Sequence, residues 1–365
     1  MRIFVAKSDE VEDLRNKLRP GRMLYPVLLG LAVAIWVVYR QVDQDIFGFF
    51  AWTWIAGWGL LGALLLMGVR DWAYIYRIRV LTNKELSWKQ AFQVIMLWEF
   101  SSAVSPSVVG GTAPAVYFLH KEGLNTGKST AVVLTAILLD EVFFILIVPL
   151  MYVVFRTNIF PPESVMLSKG LYLILIVGYG IILLYTVLLV YTLFFNPYFF
   201  KRLLSWFFLI PFLRPWRSRM RKLSNQLIST SEELRGKSVG YWIKAFLSTT
   251  VSWTARYWVV NCMFMAFFFD GLTLFDHFLV FARQLTMWII LLISPTPGGS
   301  GLAEFVFSGF LGDLIPNASW ALPLAMLWRL ISYYPYLIIG AIVMPVWIRR
   351  VYAKNPGTSK DETAA

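Results

Sequence analysis

Long apolar runs constrain this chain more than any other feature of its sequence. Six of them are long enough to cross the roughly 30 Å hydrocarbon core of a bilayer as helices. Only 15% of the 365 residues are charged, which is too few for the surface of a soluble domain of this length. The sequence therefore predicts an all-α integral membrane protein. Its six transmembrane helices are expected at residues 23–39, 50–69, 129–155, 169–195, 241–269 and 318–348.

Two further apolar stretches are broken in the middle by proline and glycine. The first reads SPSVVGGTAP at 105–114, and the second reads SPTPGGSG at 294–301. The apolar half on each side of a break is mostly too short to span, a pattern typical of re-entrant helical hairpins. The predicted fold therefore adds two such hairpins to the six helices. Their halves lie at 91–104 with 113–119, and at 277–293 with 300–311.

The two breaks resemble each other and divide the chain into halves of the same order. Ser-Pro and Gly-Gly recur at the same spacing in both, and a charged residue follows each Gly-Gly pair by thirty positions, Glu141 in one half and Arg329 in the other. With residues 23–155 starting inside and 169–348 starting outside, the hairpins enter from opposite faces. This arrangement predicts an inverted-topology repeat within a single domain spanning 1–365. Chance similarity is the alternative, since few residues carry the match.

Lysine and arginine residues set the orientation. With the N-terminal segment 1–22 in the cytoplasm, 26 of them lie inside and three outside, the bias that orients membrane proteins. Both termini are then cytoplasmic, including the tail at 349–365, and the basic segment 196–238 is expected to form interfacial and cytoplasmic helices. Loops that face anionic lipid explain the net charge of +12, so no nucleic-acid partner is expected.

No cofactor or metal is expected. The single cysteine, Cys262, cannot form an intrachain disulfide, and His120 and His277 stand far apart without a Cys/His cluster. The chain also lacks the G-x-x-x-x-G-K-[ST] motif of nucleotide-binding loops.

The tips of the two hairpins are candidate site elements. Broken backbone at membrane depth is tolerated where it is buried in protein or lines a wet cavity. The half-helix after each tip directs free N–H groups and its positive dipole end toward the membrane centre, which suits an anionic group such as a lipid phosphate. A glycine-rich packing knot without a ligand is the alternative. The tip residues are Pro106, Gly110, Gly111, Pro295, Pro297, Gly298 and Gly299.

Charged residues inside the apolar segments are the other candidates. Each costs at least ~2.5 kcal/mol at the bilayer centre unless it is paired or hydrated. Arg329 is the expected phosphate contact, although structural pairs such as Glu141 or Glu304 with Arg329 stay open. Arg256 and Arg283 could also extend to an interface. The full set is Glu99, Asp140, Glu141, Arg256, Arg283, Glu304 and Arg329.

Nearly the whole chain resembles the transmembrane domain family of lysylphosphatidylglycerol synthase/flippase proteins. The stretches SPSVVGGTAPAVYFL, STAVVLTAILLDEVFF, SPTPGGSGLAEFVF and MLWRLISYYPYLIIG carry the resemblance. It implies a basic partner for the acid at Asp140, yet no basic residue stands beside it in the sequence. In bifunctional members, such a domain translocates aminoacylated phospholipid. Because the chain ends at Ala365 after a short polar tail, we expect a stand-alone flippase-like protein without a synthase domain.

The resulting functional hypothesis is a lipid translocase of the cytoplasmic, or inner, membrane rather than an enzyme. Its partner would be a membrane lipid: an anionic or aminoacyl phospholipid, or a polyprenyl-phosphate-linked lipid. Transport would be passive or coupled to protons or ions, and a homo-oligomer is compatible with the sequence. Two alternatives stay open, a membrane-embedded transferase acting on a lipid-linked substrate and a scaffold subunit of an envelope-synthesis complex.

Overall fold

The protein is helical throughout the described part of the chain. The computed structural model describes residues 53–105, 111–161, 168–196, 198–199, 202, 228, 231–268, 271–292, 296–299 and 301–354. No strand occurs among them. The ten main helices are α1 (Trp54–Leu81), α2 (Trp88–Val104), α3 (Thr112–Lys121), α4 (Thr126–Phe155), α5 (Ser168–Val190), α6 (Val239–Phe267), α7 (Leu274–Leu291), α8 (Leu302–Leu311), α9 (Ala321–Ser332) and α10 (Tyr334–Lys354).

The apolar helices confirm a multi-pass membrane protein. Five stretches of the described residues are long and apolar enough to cross a membrane. Four of them match the spans expected at 50–69, 129–155, 169–195 and 318–348, and the fifth is α7. The count of six spans and the re-entrant entry of the hairpins stay predictions. The five stretches are Trp54–Leu81, Thr126–Ile159, Leu175–Phe195, Leu274–Leu291 and Ala318–Val351.

Several sequence-based boundaries differ in the structure. The expected span 23–39 lies outside the described residues. The span expected at 241–269 forms α6, but polar side chains such as Lys244, Arg256 and Asn261 keep it out of the five apolar stretches. Conversely, α7, expected as half of a hairpin, is long enough to cross on its own.

The expected span at 318–348 is divided into α9 and α10 at Tyr333, which has a non-helical backbone. Pro335 contributes to this break, because its nitrogen carries no N–H and cannot make the hydrogen bond to the carbonyl oxygen of Ile331 that a continuous helix would contain. The other correction concerns α1, which continues to Leu81, well beyond the expected end at residue 69. Its last three turns therefore lie beyond the predicted span.

Helices α1 and α6 form the main packing interface, and small residues make it close. A Cβ added at Gly59 would lie 2.5 Å from the Cβ of Ala266, so only glycine allows this approach. One turn further, Gly62 faces the Cys262 sulfur. Small residues of this kind let membrane helices pack closely by van der Waals contact. Further along, the Ser252 hydroxyl donates to the carbonyl oxygen of Arg70, 3.1 Å away, so the pair stays in register.

Candidate functional site

Arg329 lies at the second break and is held by three different contacts. Its Nε is 3.1 Å from Oε1 of Glu304. Its Nη1 donates to the carbonyl oxygen of Gly298 at 2.6 Å, and its guanidinium carbon lies 3.7 Å from the centre of the Tyr333 ring. Glu304 also accepts a hydrogen bond from the Gly301 N–H at 2.7 Å, which caps α8. The alternative pairing of Arg329 with Glu304 is therefore present, and it lies directly at a predicted tip.

Glycine is required at this break for two separate reasons. Gly298, Gly299 and Gly301 have φ values of +57°, +70° and +83°, a region that side chains with a Cβ rarely adopt. In addition, a Cβ on Gly298 would lie 2.2 Å from the Tyr333 ring. The break at Pro335 places Tyr333 where its ring can cover both Gly298 and Arg329. The position of Arg329 therefore depends on the positive-φ glycines and on the helix break at Pro335.

Both breaks approach the last turn of α2. The Tyr333 hydroxyl donates to the carbonyl oxygen of Ala103 at 2.9 Å, and the turn Pro297–Gly299 packs on the same helix. At the first break, a Cβ added at Gly111 would lie 1.9 Å from the Ser102 hydroxyl, so α3 begins against that turn. The described parts of the two breaks thus converge on one place. The tip residues Pro106, Gly110 and Pro295 lie outside the described residues.

A second buried arginine, Arg70, lies among two carboxylates near this turn. Its Nη2 is 2.7 Å from Oε1 of Glu99, and its Nη1 donates to Oδ1 of Asp71 at 2.8 Å. The Tyr336 hydroxyl donates to the same Asp71 oxygen at 2.7 Å. Arg70 is 1% exposed, whereas both carboxylate side chains are 22% exposed. The cluster carries a net charge of −1, and its carboxylates are its accessible part.

A third arginine, Arg77, supplies the basic partner that the sequence near Asp140 lacked. Its Nη1 and Nη2 donate to the two Asp140 carboxylate oxygens at 2.5 and 3.3 Å. The Trp253 indole also donates to Asp140 at 2.7 Å. Arg256 lies 5.5 Å from the centre of the Trp253 ring, so this expected site residue joins the group through an aromatic side chain. Glu141 is not part of it.

Tyr74 connects the second and third arginine clusters. The guanidinium carbons of Arg70 and Arg77 each lie 4.5 Å from the centre of its ring. All three residues lie on one face of α1, at the spacing of successive helical turns. Sequence reasoning missed both arginines because they follow the apolar run 50–69. Two arginines that flank a tyrosine at helical spacing are the sequence pattern that could have identified them.

Arg283 belongs to a different part of the molecule. It pairs with the Asp313 carboxylate through both terminal nitrogens, at 3.0 Å for Nη2. It also donates to the carbonyl oxygens of Phe310 and Asn158, at 2.8 and 3.1 Å. These bonds join α7, the end of α8 and the turn after α4. Arg283 is buried rather than extended to an interface, and its contacts are those of a structural clamp.

A similar clamp, whose residues were not among the sequence candidates, lies at the end of the helix pair α2 and α3. The buried carboxylate of Glu122, which follows α3, pairs with Arg350. It also accepts from the Trp347 indole and the Gln90 amide, both at 2.7 Å. These bonds join the start of α2, the end of α3 and the last turns of α10. Each broken helix pair is thus tied at its end to the last span of the other half of the chain.

Comparison with known proteins agrees with this architecture. The profile of a family described as the lysylphosphatidylglycerol synthase TM region matches residues 23–340. A protein described as a UPF0104 membrane protein, from Archaeoglobus fulgidus, is 24% identical over 350 residues, which cover 90% of this chain and 98% of the relative. No solved structure matches the chain.

Proposed function

Because this chain belongs to the family of the lysylphosphatidylglycerol synthase TM region, we propose that it is a lipid translocase. It moves an anionic, aminoacylated or polyprenyl-phosphate-linked headgroup across the membrane while the lipid tails stay in the bilayer. The single observation that carries this proposal is the buried Arg329 at the second break, beside the turn where both breaks converge.

Arg329 suits a phosphate for geometric reasons. A guanidinium group offers two parallel N–H donors that match two phosphate oxygens, and it stays charged when buried. Its present partners, Glu304 and the carbonyl oxygen of Gly298, are ones that a phosphate can replace. The Tyr333 ring then holds the guanidinium plane in place from the other side.

The remaining polar groups form a continuous series of side chains that leads away from Arg329, called the track below. From Arg329, the Tyr333 hydroxyl leads to α2, where Glu99 is one turn away and pairs with Arg70. Tyr74 then connects Arg70 with Arg77. A charged headgroup that crosses hydrocarbon alone loses its hydration, and fixed charges along the way offset that loss. No bond is made or broken, so the track needs neither a nucleophile nor a general base.

The experiment uses the purified chain in liposomes that contain fluorescent phosphatidylglycerol, its aminoacyl derivatives or a polyprenyl-phosphate sugar. A membrane-impermeant quencher reports how fast each headgroup changes sides. Arg329→Lys keeps the charge but loses the paired donors, and hydrogen bonds to charged groups contribute about 1.5–3 kcal/mol. We therefore expect translocation to slow by about tenfold to a hundredfold.

A charge reversal separates transport from a structural pair. Glu304→Arg combined with Arg329→Glu restores an ion pair but removes the positive charge from the end of α9. If Arg329 binds the headgroup, this double variant regains thermal stability relative to Arg329→Glu but stays inactive. Translocation at the wild-type rate in the double variant would contradict the proposal. Lys128→Gln, which removes the surface pair with Glu85, is the control with an unchanged rate.

A further inference from the structure

The interface between α4 and α5 contains polar groups that the proposed track does not use. The side chains of Ile182, Thr186 and Leu189 on α5, and of Leu193 in the helical turn that follows it, are all buried and recur at helical spacing. Leu138 of α4 packs with Leu189 and Leu193, and seven residues later the carbonyl oxygen of Ile145 accepts a hydrogen bond from Tyr179 at 3.1 Å. The two helices are therefore antiparallel, and these contacts fix their relative level.

Helix geometry places Glu141 on this interface, at the level of Thr186. It falls between Leu138 and Ile145 on α4, at a spacing that keeps it on the same side of the helix. The level set by the contacts on either side places it next to Thr186 on α5. Tyr185, the neighbour of Thr186, lies within electrostatic reach of the Glu141 carboxylate.

Both side chains have an oxygen without a partner. Oε2 of Glu141 is buried and makes no hydrogen bond to any described residue. The hydroxyl oxygen of Thr186, whose residue is only 5% exposed, is unpartnered in the same sense. Buried polar groups in native proteins are almost always hydrogen-bonded, so two facing exceptions need an explanation.

The surrounding charges do not supply a partner for Glu141. The adjacent Asp140 points about 100° away around the helix and is itself bound by Arg77 and Trp253. On α7, Arg283 is bound to Asp313, near the far end of α4. The ionisable groups of α5 at this level are the hydroxyls of Tyr179 and Tyr185. Within the part of the chain that the structure describes, no basic side chain pairs with Glu141.

We propose that Glu141 is a proton-binding site whose neutral carboxyl group bonds to Thr186, and that its protonation drives the translocation proposed above. A buried carboxylate without a partner takes up a proton rather than remain charged. The neutral acid gains an O–H donor, and the facing hydroxyl is an acceptor. The proton comes from water on one side and returns to water on the other, without redox chemistry. Intramembrane carboxylates serve proton relays in pumps and transporters.

Infrared difference spectroscopy tests the proton site without requiring transport. A pH titration of the purified protein is expected to show a carbonyl band of a protonated carboxyl group that disappears as the pH rises. The band should be absent in Glu141→Gln and shifted in frequency in Thr186→Val, which removes the hydroxyl but keeps the shape. Glu85→Gln, at an exposed surface pair, should leave it unchanged. An unchanged band in Glu141→Gln, or no titrating band in the wild type, would overturn the proposal.

The coupling is tested in the same liposomes with and without a pH gradient. The wild type is expected to translocate lipid faster with the gradient, whereas Glu141→Gln should give the same rate in both conditions. A gradient effect that persists in Glu141→Gln would refute the coupling. This result is separate from the proposed function: a wild type that moves no lipid but shows the titrating band would refute translocation and leave the proton site standing.

Discussion

Replacing Gly298 by alanine tests whether the close contact between Gly298 and the Tyr333 ring is needed for stability and for the position of Arg329. Two costs are expected. The left-handed backbone, at φ +57°, costs a residue with a Cβ about 1–2 kcal/mol. The added Cβ would also lie 2.2–2.4 Å from three atoms of the Tyr333 ring, and overpacking of this kind costs about 1–3 kcal/mol. The sum is a loss of about 2–5 kcal/mol in the free energy of unfolding.

The ring cannot easily move aside. Tyr333 is fixed on one side by the Arg329 guanidinium and at its hydroxyl by the carbonyl oxygen of Ala103. Relief of the overlap must therefore break at least one of these contacts. Translocation should fall together with stability, because both contacts position the proposed phosphate ligand.

The matched control is Gly301→Ala. Gly301 has φ +83° and ψ −51°, but an added Cβ there would meet no atom within 4 Å, so only a backbone cost applies, about 1–3 kcal/mol for this sparsely populated region. Thermal unfolding in detergent measures both variants. Adding Tyr333→Ala should reduce the loss caused by Gly298→Ala, since neighbouring sites that share a contact are not additive. If adding Tyr333→Ala leaves the loss caused by Gly298→Ala unchanged, the overlap argument fails.

Three further predictions concern other parts of the chain. Asp313→Asn leaves the buried Arg283 without its counter-charge, and thermal unfolding in detergent should show a loss of about 3–5 kcal/mol. Gly180→Ala, inside α5 with no atom within 4 Å of an added Cβ, should raise stability in the same assay by about 0.4–1 kcal/mol. The hydrogen bond from Lys237 lowers the pKa of Glu233, so this interaction stabilises the fold above the carboxyl's usual pKa and is lost as the pH falls through the folded value. Chemical unfolding of wild type and Glu233→Gln at several pH values should show a difference below about 1 kcal/mol at neutral pH that vanishes in acid.

Hydropathy predicted the class of the fold because burial of apolar surface in a bilayer leaves few alternatives. It identified four of the five apolar stretches, three of them with nearly the right extent and the first with its end at residue 69 rather than at Leu81. The span predicted at 241–269 is the helix α6, and its mean hydropathy is low because several of its polar residues are buried against protein; Ser252 and Asn261 are both 0% exposed. A hydropathy window measures composition and does not show which face of a helix meets a neighbour.

The candidate site was predicted in part. Arg329 and Glu304 were selected as charges within apolar segments, and the structure brings them together at the predicted second tip. Arg70 and Arg77 were not selected, because they lie beyond the end of the apolar run predicted at 50–69. Their partners, Glu99 and Asp140, lie on other helices, and such pairing depends on tertiary packing that a single sequence does not display.

The balance of charges in the track links the binding of an anionic headgroup to the uptake of a proton. Three arginines of the track face four carboxylates, and Arg256 beside Trp253 adds a fourth positive charge, so the charges balance before any headgroup enters. A phosphate bound to Arg329 displaces Glu304 and leaves one more carboxylate unpaired. Protonation of Glu141, which is already unpaired, lowers the total negative charge inside the membrane, so headgroup binding and proton uptake favour each other, and such linkage acts equally in both directions. Under the two proposals, the paired charges hold the helices together. They also make the binding of an anionic lipid depend on the uptake of a proton.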